Sequence, residues 1–403
     1  MSSNNTNNEV DVPTCGKLEL IKRREADLSK LLADVRLEKL QLLRDRPLKI
    51  GVMGFGRFGQ FIAKSFLKHA EIVGTSMTDY TDVAKEMGAK FIPLSDPEAF
   101  LDEELDVIVL AVSILSLDDA VKNLAKHLEK YLNRQKGNGK CVAPLVVDVC
   151  SVKEHPRKLL LEYLPEECDI LCTHPMFGPD SGKDGWKGLT FVYERTRLGG
   201  IVLDADNQTG HRFRNQSEFF FDGSGQKHTI HGDNEGFTEA VERIERFLSI
   251  WEEEGCNMIP MSCKQHDNYS SRSQFITHLM GRILAKQGLT ATPIDTKGFQ
   301  SVLQLIKSTS ADSFDLFYGL YKHNQNSPGT IEDLQNALED VVSQLKTLEI
   351  EDKASTPKWV KRTSCFINPN NIVSDAEEIE KKVLAMELKL DETDPSGVPK
   401  TKV

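Results

Sequence analysis

A single histidine, His174, stands near the start of a segment crowded with glycine and proline, residues 173–189. This composition excludes a regular helix or a central strand, so it predicts a shaped loop with a titratable group at its entrance. Long ordered loops in compact domains usually serve function. Histidine takes a proton near neutral pH, which makes His174 a candidate general base. The alternative is a loop histidine that only satisfies backbone groups.

A second polar segment, Cys150-Ser151-Val152-Lys153, follows an apolar strand predicted over 145–149. In a doubly wound sheet, ligands bind at the carboxyl ends of the strands, so Ser151 and His174 are expected at the same edge. The Ser151 hydroxyl can donate or accept a hydrogen bond. It could assist His174, cap the following helix, or do both. Lys153 is equally compatible with a surface charge and with a functional group.

The motif GxGxxG occurs at 54–59 as Gly54-Phe55-Gly56-Arg57-Phe58-Gly59. It follows a predicted strand and opens a predicted helix, the context of a dinucleotide-binding turn. The first glycine allows the tight turn, the second lets backbone approach a pyrophosphate, and the third lets helix and strand pack closely. The helix N-terminus then offers free N–H groups to the phosphates. We therefore expect Gly54, Gly56, Arg57, Phe58 and Gly59 to bind a cofactor; the alternative is a glycine-rich turn without a ligand.

The end of the second predicted strand indicates which cofactor binds. NAD sites usually place an acidic residue there for the ribose 2′-hydroxyl. Here the segment 74–79 reads Gly-Thr-Ser-Met-Thr-Asp, and its acid comes late. The hydroxyl groups of Ser76 and Thr78 suit a 2′-phosphate, and Arg57 adds positive charge nearby. The sequence favours NADP, with NAD as a possible alternative.

Apolar strands alternate with helices from residue 48 to residue 194. This pattern predicts an α/β fold with a Rossmann-type, doubly wound parallel sheet, followed by an all-helical C-terminal domain. The predicted organisation is a tail and helix over 1–47, a dinucleotide-binding domain over 48–202, an inserted loop over 203–236, the last helix and strand of that domain over 237–262, a helical substrate and dimerisation domain over 263–350, and a peripheral tail over 351–403.

Composition excludes several classes of protein. The net charge of −11 over 403 residues argues against nucleic-acid binding. No apolar run approaches the length of a membrane span, and the first residues resemble neither a signal peptide nor a transit peptide. As it stands the chain is expected to be soluble and cytoplasmic, or plastidic if a targeting segment has been removed. The eight cysteines contain no CxxC pair, and His211, His228 and His231 lack ligand spacing, so no metal site is expected.

Several motifs in order resemble the TyrA family of prephenate and arogenate dehydrogenases, most closely the plant-type arogenate dehydrogenases. The motifs are GFGRFGQF at 54–61, SILS at 113–116, VDVCSVKE at 147–154, DILCTHPMFGPDSGKDGWKG at 169–188, SQFITHLMGRIL at 273–284, TPIDTKGF at 292–299 and DSFDLFYGLY at 312–321. The resemblance implies hydride transfer from a cyclohexadienol to the nicotinamide, with loss of carbon dioxide and aromatisation. It assigns His174 to the ring hydroxyl and Ser151 as its partner, and it adds Ser113 to the cofactor contacts.

The resemblance leaves the choice of substrate to the helical domain. Bacterial prephenate-type members carry an arginine several residues after a Gly-Phe, whereas this chain has the neutral Gln304 near that point. An acid would favour the ammonium group of arogenate, and Asp267 is the candidate. His278 and Arg282 lie one turn apart on a predicted helix, and Arg282 could bind a substrate carboxylate or form a structural ion pair. Arogenate is therefore the expected substrate, with prephenate as the alternative.

A different class of function stays open, a catalytically inactive nucleotide-binding regulatory dimer, motivated by the insertion and the extra termini. The intact pair of Ser151 and His174 argues against it. A hydroxyacid dehydrogenase of the 6-phosphogluconate type requires a lysine followed by an asparagine one turn later, and 266–287 has no such pair. The helices predicted over 296–308 and 310–323 are apolar on more than one face, which together with the resemblance indicates a homodimer through the helical domain.

Overall fold

The computed structural model describes residues 14–44, 47–137, 143–203, 219–221, 227–229 and 235–354. The chain divides into two compact units, Met1–Gln335 and Asn336–Val403. Most of the insertion predicted over 203–236 and nearly all of the tail predicted over 351–403 lie outside the described residues. The division between a Rossmann domain and a helical domain at 262/263 stays a prediction.

The sheet region of the first unit alternates strands and helices. Its strands are β1 Leu48–Met53, β2 Ala70–Thr75, β3 Lys90–Phe91, β4 Val107–Leu110, β5 Leu145–Asp148, β6 Asp169–Pro175, β7 Thr190–Leu198, β8 Ile201–Val202, β9 Phe219–Phe221, β10 Lys227–Thr229 and β11 Asn257–Pro260. Its helices are α1 Thr14–Arg44, α2 Arg57–Phe66, α3 Thr81–Met87, α4 Pro97–Leu101, α5 Leu117–Gly137, α6 Glu154–Tyr163 and α7 Glu235–Glu253, with a short 3₁₀ turn at Ile114–Ser116.

The helical region follows β11. It comprises α8 Cys263–Ser270, a π-helical turn Ser271–Phe275, α9 Ile276–Lys286, α10 Lys297–Ala311, α11 Phe314–Lys322 and α12 Ser327–Ala354. The sequence predicted one continuous helix over 266–287, and the π-helical turn interrupts it. Such turns occur often at functional sites. In the described residues, no helix combines the length and apolar character that a membrane crossing requires.

The main sheet has the strand order β11-β7-β6-β5-β4-β1-β2-β3, with β8 beside β7. The strands from β3 to β6 pair in parallel and reproduce the order 3-2-1-4-5-6 of dinucleotide-binding folds. The predicted α/β fold is thus confirmed. The sheet is parallel over most of its strands and becomes mixed at one side, where β7 runs antiparallel to β6 and β11 runs parallel to β7.

The sheet is covered on both faces, which explains its nearly all-apolar strands. On one face, α2 and α7 pack through a cluster of aromatic rings in which Phe66 meets Trp251 at 5.4 Å between ring centroids. On the other face, α4, α5 and α6 pack on alternate residues of the same strands, such as Ile108 and Val146. The doubly wound arrangement brings the carboxyl ends of β1, β4, β5 and β6 to one edge.

Strand β6 extends further than its sequence suggests. The sequence predicted that it ends at Thr173, with His174 and Pro175 already in a loop. In the structure His174 pairs with Val192 of β7 and Pro175 pairs with Phe191. Proline ends the strand, where its missing N–H costs little. His174 therefore sits on a rigid strand end, and the shaped loop begins after it.

Candidate active site

Each glycine of the turn between β1 and α2 meets a distinct steric demand. Gly54 has a φ of +96°, and a Cβ there would lie 2.6 Å from the Ala111 backbone. A Cβ on Gly59 would lie 2.2 Å from the Gly54 carbonyl oxygen. A Cβ on Gly56 would meet nothing within 4 Å, so the backbone there faces open space. This geometry fits the predicted motif, since the space beside Gly56, at the N-terminus of α2, is what a pyrophosphate requires.

The end of β2 carries hydroxyl groups in place of a free acid. Ser76 is half-buried and Thr78 is exposed, while Met77 between them is 87% exposed. The carboxylate of Asp79 accepts hydrogen bonds from the Thr81 backbone N–H at 2.9 Å and from its hydroxyl at 2.6 Å. These bonds lower the pKa of Asp79. The only acid of the segment 74–79 is thus used to begin α3.

The other predicted cofactor residues lie around this edge of the sheet. Arg57 is exposed and donates a hydrogen bond of 2.6 Å to Asp180, so it connects the glycine turn to the loop after β6. The Phe58 ring packs on the core beside Phe61, which leaves only its backbone for a ligand. Ser113 is exposed at the end of β4, and its hydroxyl lies 3.0 Å from that of Ser116.

His174 is enclosed by protein, with 3% of its surface exposed. Burial lowers its pKa well below the usual value of 6.5, and the charge of the nearby Lys153 lowers it further. The imidazole is therefore neutral at physiological pH. A neutral histidine has one bare ring nitrogen, which is the form that can accept a proton.

A line of short contacts connects His174 to the first helix of the helical region. His174 Nδ1 lies 2.8 Å from His266 Nε2, and His266 Nδ1 lies 2.8 Å from Asp267 Oδ1. Both partners are buried, His266 at 3% exposure and Asp267 at 0%. The strand end of the sheet and the start of α8 are thus joined inside the site.

Asp267 has a role that the sequence did not predict. Its Oδ1 accepts the Lys153 backbone N–H at 2.8 Å, and its Oδ2 accepts the Glu154 backbone N–H at 2.9 Å. It therefore caps α6 from a distant part of the chain, which favours a negative charge there. The expectation that Asp267 binds a substrate ammonium group is corrected here, because the carboxylate is fully buried and both oxygens have protein donors.

Because Asp267 caps α6, the structure also decides whether Ser151 caps that helix. Helix α6 begins at Glu154 after Lys153, without a side-chain cap from its own segment. Ser151 is not the N-cap. Ser151 is half-buried. It follows β5 at the edge where β6 presents His174, because Asp148 and Cys172 are in register. This placement leaves the hydroxyl free for a ligand.

Lys153 is not a surface charge, since only 2% of its surface is exposed. Its ammonium group forms a short ion pair with Asp148 and donates to the Thr173 carbonyl oxygen at 2.5 Å. Burial by itself would lower the pKa of Lys153, but the Asp148 carboxylate offsets it and the net shift is upward. The charged lysine therefore holds the ends of β5 and β6 together, one residue before His174.

Glu194 of β7 completes the connection between these elements. Its carboxylate accepts the Cys263 backbone N–H at the start of α8 and the Arg157 Nε–H of α6 at 2.8 Å. Sequence reasoning missed Glu194, Asp148 and the role of His266. The only available signal was the His-Asp pair directly after the last strand of the sheet.

The substrate residues predicted in the helical region lie apart from this line. Arg282 donates to the carbonyl oxygens of Asp312 at 2.9 Å and Ser313 at 3.1 Å, and its guanidinium lies over the Phe317 ring. These contacts fix the turn between α10 and α11, so a structural role is supported. His278 is buried with Nε2 3.8 Å from Asp312. Gln304 is exposed on α10.

The half-buried His323 provides a test of how a histidine with a lowered pKa affects stability. It stacks on His155 of α6 at 4.0 Å between ring centroids, and its Nε2 has no partner among the described residues. Burial, then the charges of His155 and Lys322, lower its pKa from 6.5 to about 4. As the pH falls below 6.5, His323 takes up a proton in the unfolded chain, whereas in the folded chain it stays neutral down to a pH of about 4. Acid therefore stabilises the unfolded chain relative to the folded protein.

We expect wild type to lose more stability than His323→Gln when the pH falls from about 7.5 to about 5. Urea denaturation at both values measures the free energy of unfolding, and the difference between the two proteins isolates this one histidine. Equal losses would show that His323 titrates normally in the folded protein.

These features define a class of protein. A Rossmann-type sheet with an open glycine turn, and a buried neutral histidine at the same edge, describe a nicotinamide-dependent dehydrogenase. Two family models match the chain: the nucleotide-binding domain of prephenate dehydrogenase at residues 62–198 and the TYRAAT1-like C-terminal domain at 283–356.

Curated relatives extend the similarity over most of the chain. Arogenate dehydrogenase 2, chloroplastic, of Arabidopsis thaliana is 40% identical over 308 residues, which cover 76% of this chain and 72% of the relative. Arogenate dehydrogenase 1, chloroplastic, of the same plant is 40% identical over 74% of this chain, but the match spans only 39% of that relative. The protein belongs to the prephenate and arogenate dehydrogenase family.

A solved structure supports the fold alone. The prephenate dehydrogenase of A. aeolicus, in complex with hydroxyphenyl propionate and NAD+, superposes with a TM-score of 0.50 at 15% sequence identity. The superposition covers 85% of this chain and 99% of that chain. The helical region after the sheet is therefore part of a shared architecture.

Proposed function

We propose that the protein oxidises and decarboxylates arogenate to tyrosine, with hydride transfer to NADP. The observation that carries the proposal is His174, a buried neutral imidazole on the strand end beside the nucleotide turn. The curated relatives, both arogenate dehydrogenases, supply the class of substrate. When bound, the nicotinamide cofactor supplies the hydride acceptor.

The chain's own residues divide the remaining work. The turn at Gly54, Gly56 and Gly59 holds the pyrophosphate, since it offers open backbone at a helix N-terminus. His174 takes the proton of the ring hydroxyl as the carbinol carbon loses hydride. Ser151 donates or accepts a hydrogen bond at the same oxygen. Loss of carbon dioxide then makes the ring aromatic: the electron pair of the broken C–C bond moves into the ring and on to the oxygen, which takes back the proton held on His174 and leaves the phenol of tyrosine and a neutral imidazole.

The preference for NADP is supported by the end of β2. An NAD site usually has a carboxylate at the end of the second strand for the 2′-hydroxyl, whereas here the first acid comes later, at Asp79, and its Oδ1 accepts two hydrogen bonds from Thr81. Ser76 and Thr78 provide hydroxyl groups that can donate to a 2′-phosphate. The exposed Arg57 adds charge if it exchanges Asp180 for the phosphate.

The preference for arogenate no longer rests on Asp267, whose carboxylate is buried. It rests on the neutral Gln304 and on the relatives. Arg282 is the candidate cation for the carboxylate of the substrate side chain. One of its terminal nitrogens already donates to backbone carbonyls, and its contact with substrate stays a proposal.

A paired assay tests both choices. Initial rates of nicotinamide reduction are measured with arogenate and with prephenate, each with NADP and with NAD. We expect the highest kcat/KM for arogenate with NADP, by at least about tenfold over each other pair, the discrimination of one or two polar contacts. Faster reduction of NAD would contradict the cofactor assignment only. Cofactor binding without reduction by either substrate would favour the inactive regulatory dimer.

We also propose a homodimer through the helical region. Large apolar side chains stay exposed there, among them Phe314 at 65%, Tyr318 at 43% and Ile283 at 40%. Exposed apolar surface of this kind is typical of contacts between subunits.

A further inference from the structure

Three buried side chains form a line that ends at the reacting position, and the direction of its hydrogen bonds can be deduced. We propose that Asp267 and His266 are positioning residues that fix the tautomer of His174, so that its Nε2 is bare and available to the substrate hydroxyl. This inference rests on the proposed function, because it concerns the proton acceptor of that reaction.

The carboxylate of Asp267 determines which nitrogen of His266 carries a proton. This carboxylate accepts two backbone N–H groups, that of Lys153 at 2.8 Å on Oδ1 and that of Glu154 at 2.9 Å on Oδ2, so both oxygens act as acceptors. An ionised carboxylate only accepts hydrogen bonds. The ring nitrogen 2.8 Å from it, His266 Nδ1, must therefore carry a proton.

The contact between the two imidazole rings determines where the proton of His174 lies. We take His266 with a single proton: held on Nδ1 by Asp267, that proton leaves Nε2 bare, and a bare ring nitrogen can only accept. His174 Nδ1 lies 2.8 Å from that atom, so it must donate its own proton. A neutral His174 with its proton on Nδ1 has its lone pair on Nε2. The order of protons is thus set from Asp267 outward.

Burial of the three side chains preserves the positions of the protons along the line. Asp267 is 0% exposed, and both rings are 3% exposed, so little water is present to compete for the ring nitrogens. When His174 takes the substrate proton on Nε2, it becomes an imidazolium ion. Its Nδ1–H still donates to His266, which in turn donates to the carboxylate. The negative charge of Asp267 therefore stabilises the cation across two hydrogen bonds.

The helix cap supports the same arrangement. Asp267 cannot rotate away from His266 without releasing two N–H groups at the start of α6. The Asn324 side chain also donates to the Asp267 carbonyl oxygen at 2.8 Å. Because substitution of Asp267 would disturb this cap as well as the line, the kinetic test uses His266.

The direct experiment is ¹⁵N NMR of the full chain with labelled histidine, which reports which ring nitrogen carries the proton. His174→Asn and His266→Gln variants assign the two signals. We expect the proton on Nδ1 in both rings at neutral pH. A proton on Nε2 of His174 would overturn the inference, and this result does not depend on turnover or on the identity of the substrate.

The kinetic experiment compares His266→Leu with His266→Gln. Leucine removes the line, whereas the glutamine amide can still donate to Asp267 and accept from His174. We expect His266→Leu to lower kcat by about 10²- to 10⁴-fold, the range seen when a histidine base loses its tautomer or its role. His266→Gln should retain at least about tenfold more activity than the leucine variant, since it preserves both hydrogen bonds.

His127→Leu serves as the matched control, because this histidine lies on α5 and its Nδ1 has no partner among the described residues. It should keep wild-type turnover. Equal turnover of the two His266 variants would contradict the inference, even if both are less stable than wild type. If wild type itself reduces no cofactor with arogenate, the proposed function fails, while the NMR result still decides the tautomer.

Discussion

His174→Asn is expected to lower kcat by about 10²- to 10⁴-fold, the usual contribution of a general base. Asparagine keeps a polar group of similar size at the strand end, and its amide can still donate to His266 Nε2. It has no nitrogen that takes a proton at neutral pH. The loss should therefore fall on the chemical step and leave the binding of cofactor intact.

Steady-state rates with arogenate and fluorescence titration with NADP measure the two effects separately. His127→Asn is the control, because it makes the same change on α5 away from the edge of the sheet. Turnover of His174→Asn within about twofold of wild type would remove His174 from the mechanism, since a working base is worth far more.

Lys153→Met is expected to lower the free energy of unfolding by about 3–5 kcal/mol, the cost of leaving a buried charge without its partner. Asp148 is 0% exposed, and its Oδ2 already has no hydrogen-bond partner among the described residues. A domain of ordinary stability has only about 5–15 kcal/mol in total. The single substitution should therefore remove a large share of it.

Two further variants show whether the loss of stability comes from the unpaired buried charge. Lys68→Met breaks an exposed pair with Glu254, in which the lysine side chain is 59% exposed, and should cost less than about 1 kcal/mol. Lys153→Met combined with Asp148→Asn removes both charges and should recover much of the loss. Denaturant unfolding of all three gives the comparison. Equal costs for Lys153→Met and Lys68→Met would show that the buried pair is not a determinant of stability.

The glycine turn between β1 and α2 could be predicted from the sequence because its cause is local. A tight turn, an open backbone and a close helix contact each require glycine at a set spacing, and 54–59 supplies them. The alternation of apolar strands with helices likewise predicts a doubly wound sheet, because strands covered on both faces must be apolar throughout.

The chemical half was predicted less completely because its determinants are distant in sequence. Asp267 contacts the N–H groups of Lys153 and Glu154, more than a hundred positions earlier. No local pattern distinguishes such a cap from an acid that faces a ligand. From the sequence, Lys153 is equally compatible with a surface charge and with a functional group, because its partner Asp148 in the core is recognised only from the structure. The composition of 173–189 also concealed that His174 belongs to a strand, because Pro175 is tolerated as its last residue.

Because Asp267 is fully buried, the residue that binds the substrate side chain has to be sought elsewhere. Asp267, which the sequence suggested for the substrate side chain, instead accepts the N–H groups at the start of α6 and contacts His266. We therefore look for the group that binds that side chain among the other predicted residues of the helical region. His278, Arg282 and Gln304 stay candidates, and the contacts of Arg282 with the carbonyls of Asp312 and Ser313 make its contribution the weakest of the earlier expectations.

The central claim is that His174 deprotonates a cyclohexadienol as hydride leaves for the nicotinamide. The most direct measurement is the stoichiometry of products from arogenate and NADP with wild type and with His174→Asn. Wild type should release tyrosine, carbon dioxide and reduced cofactor in equal amounts, and the variant should bind NADP but release almost none of the three. Equal product formation by both proteins, or cofactor reduction by wild type without tyrosine, would contradict the account.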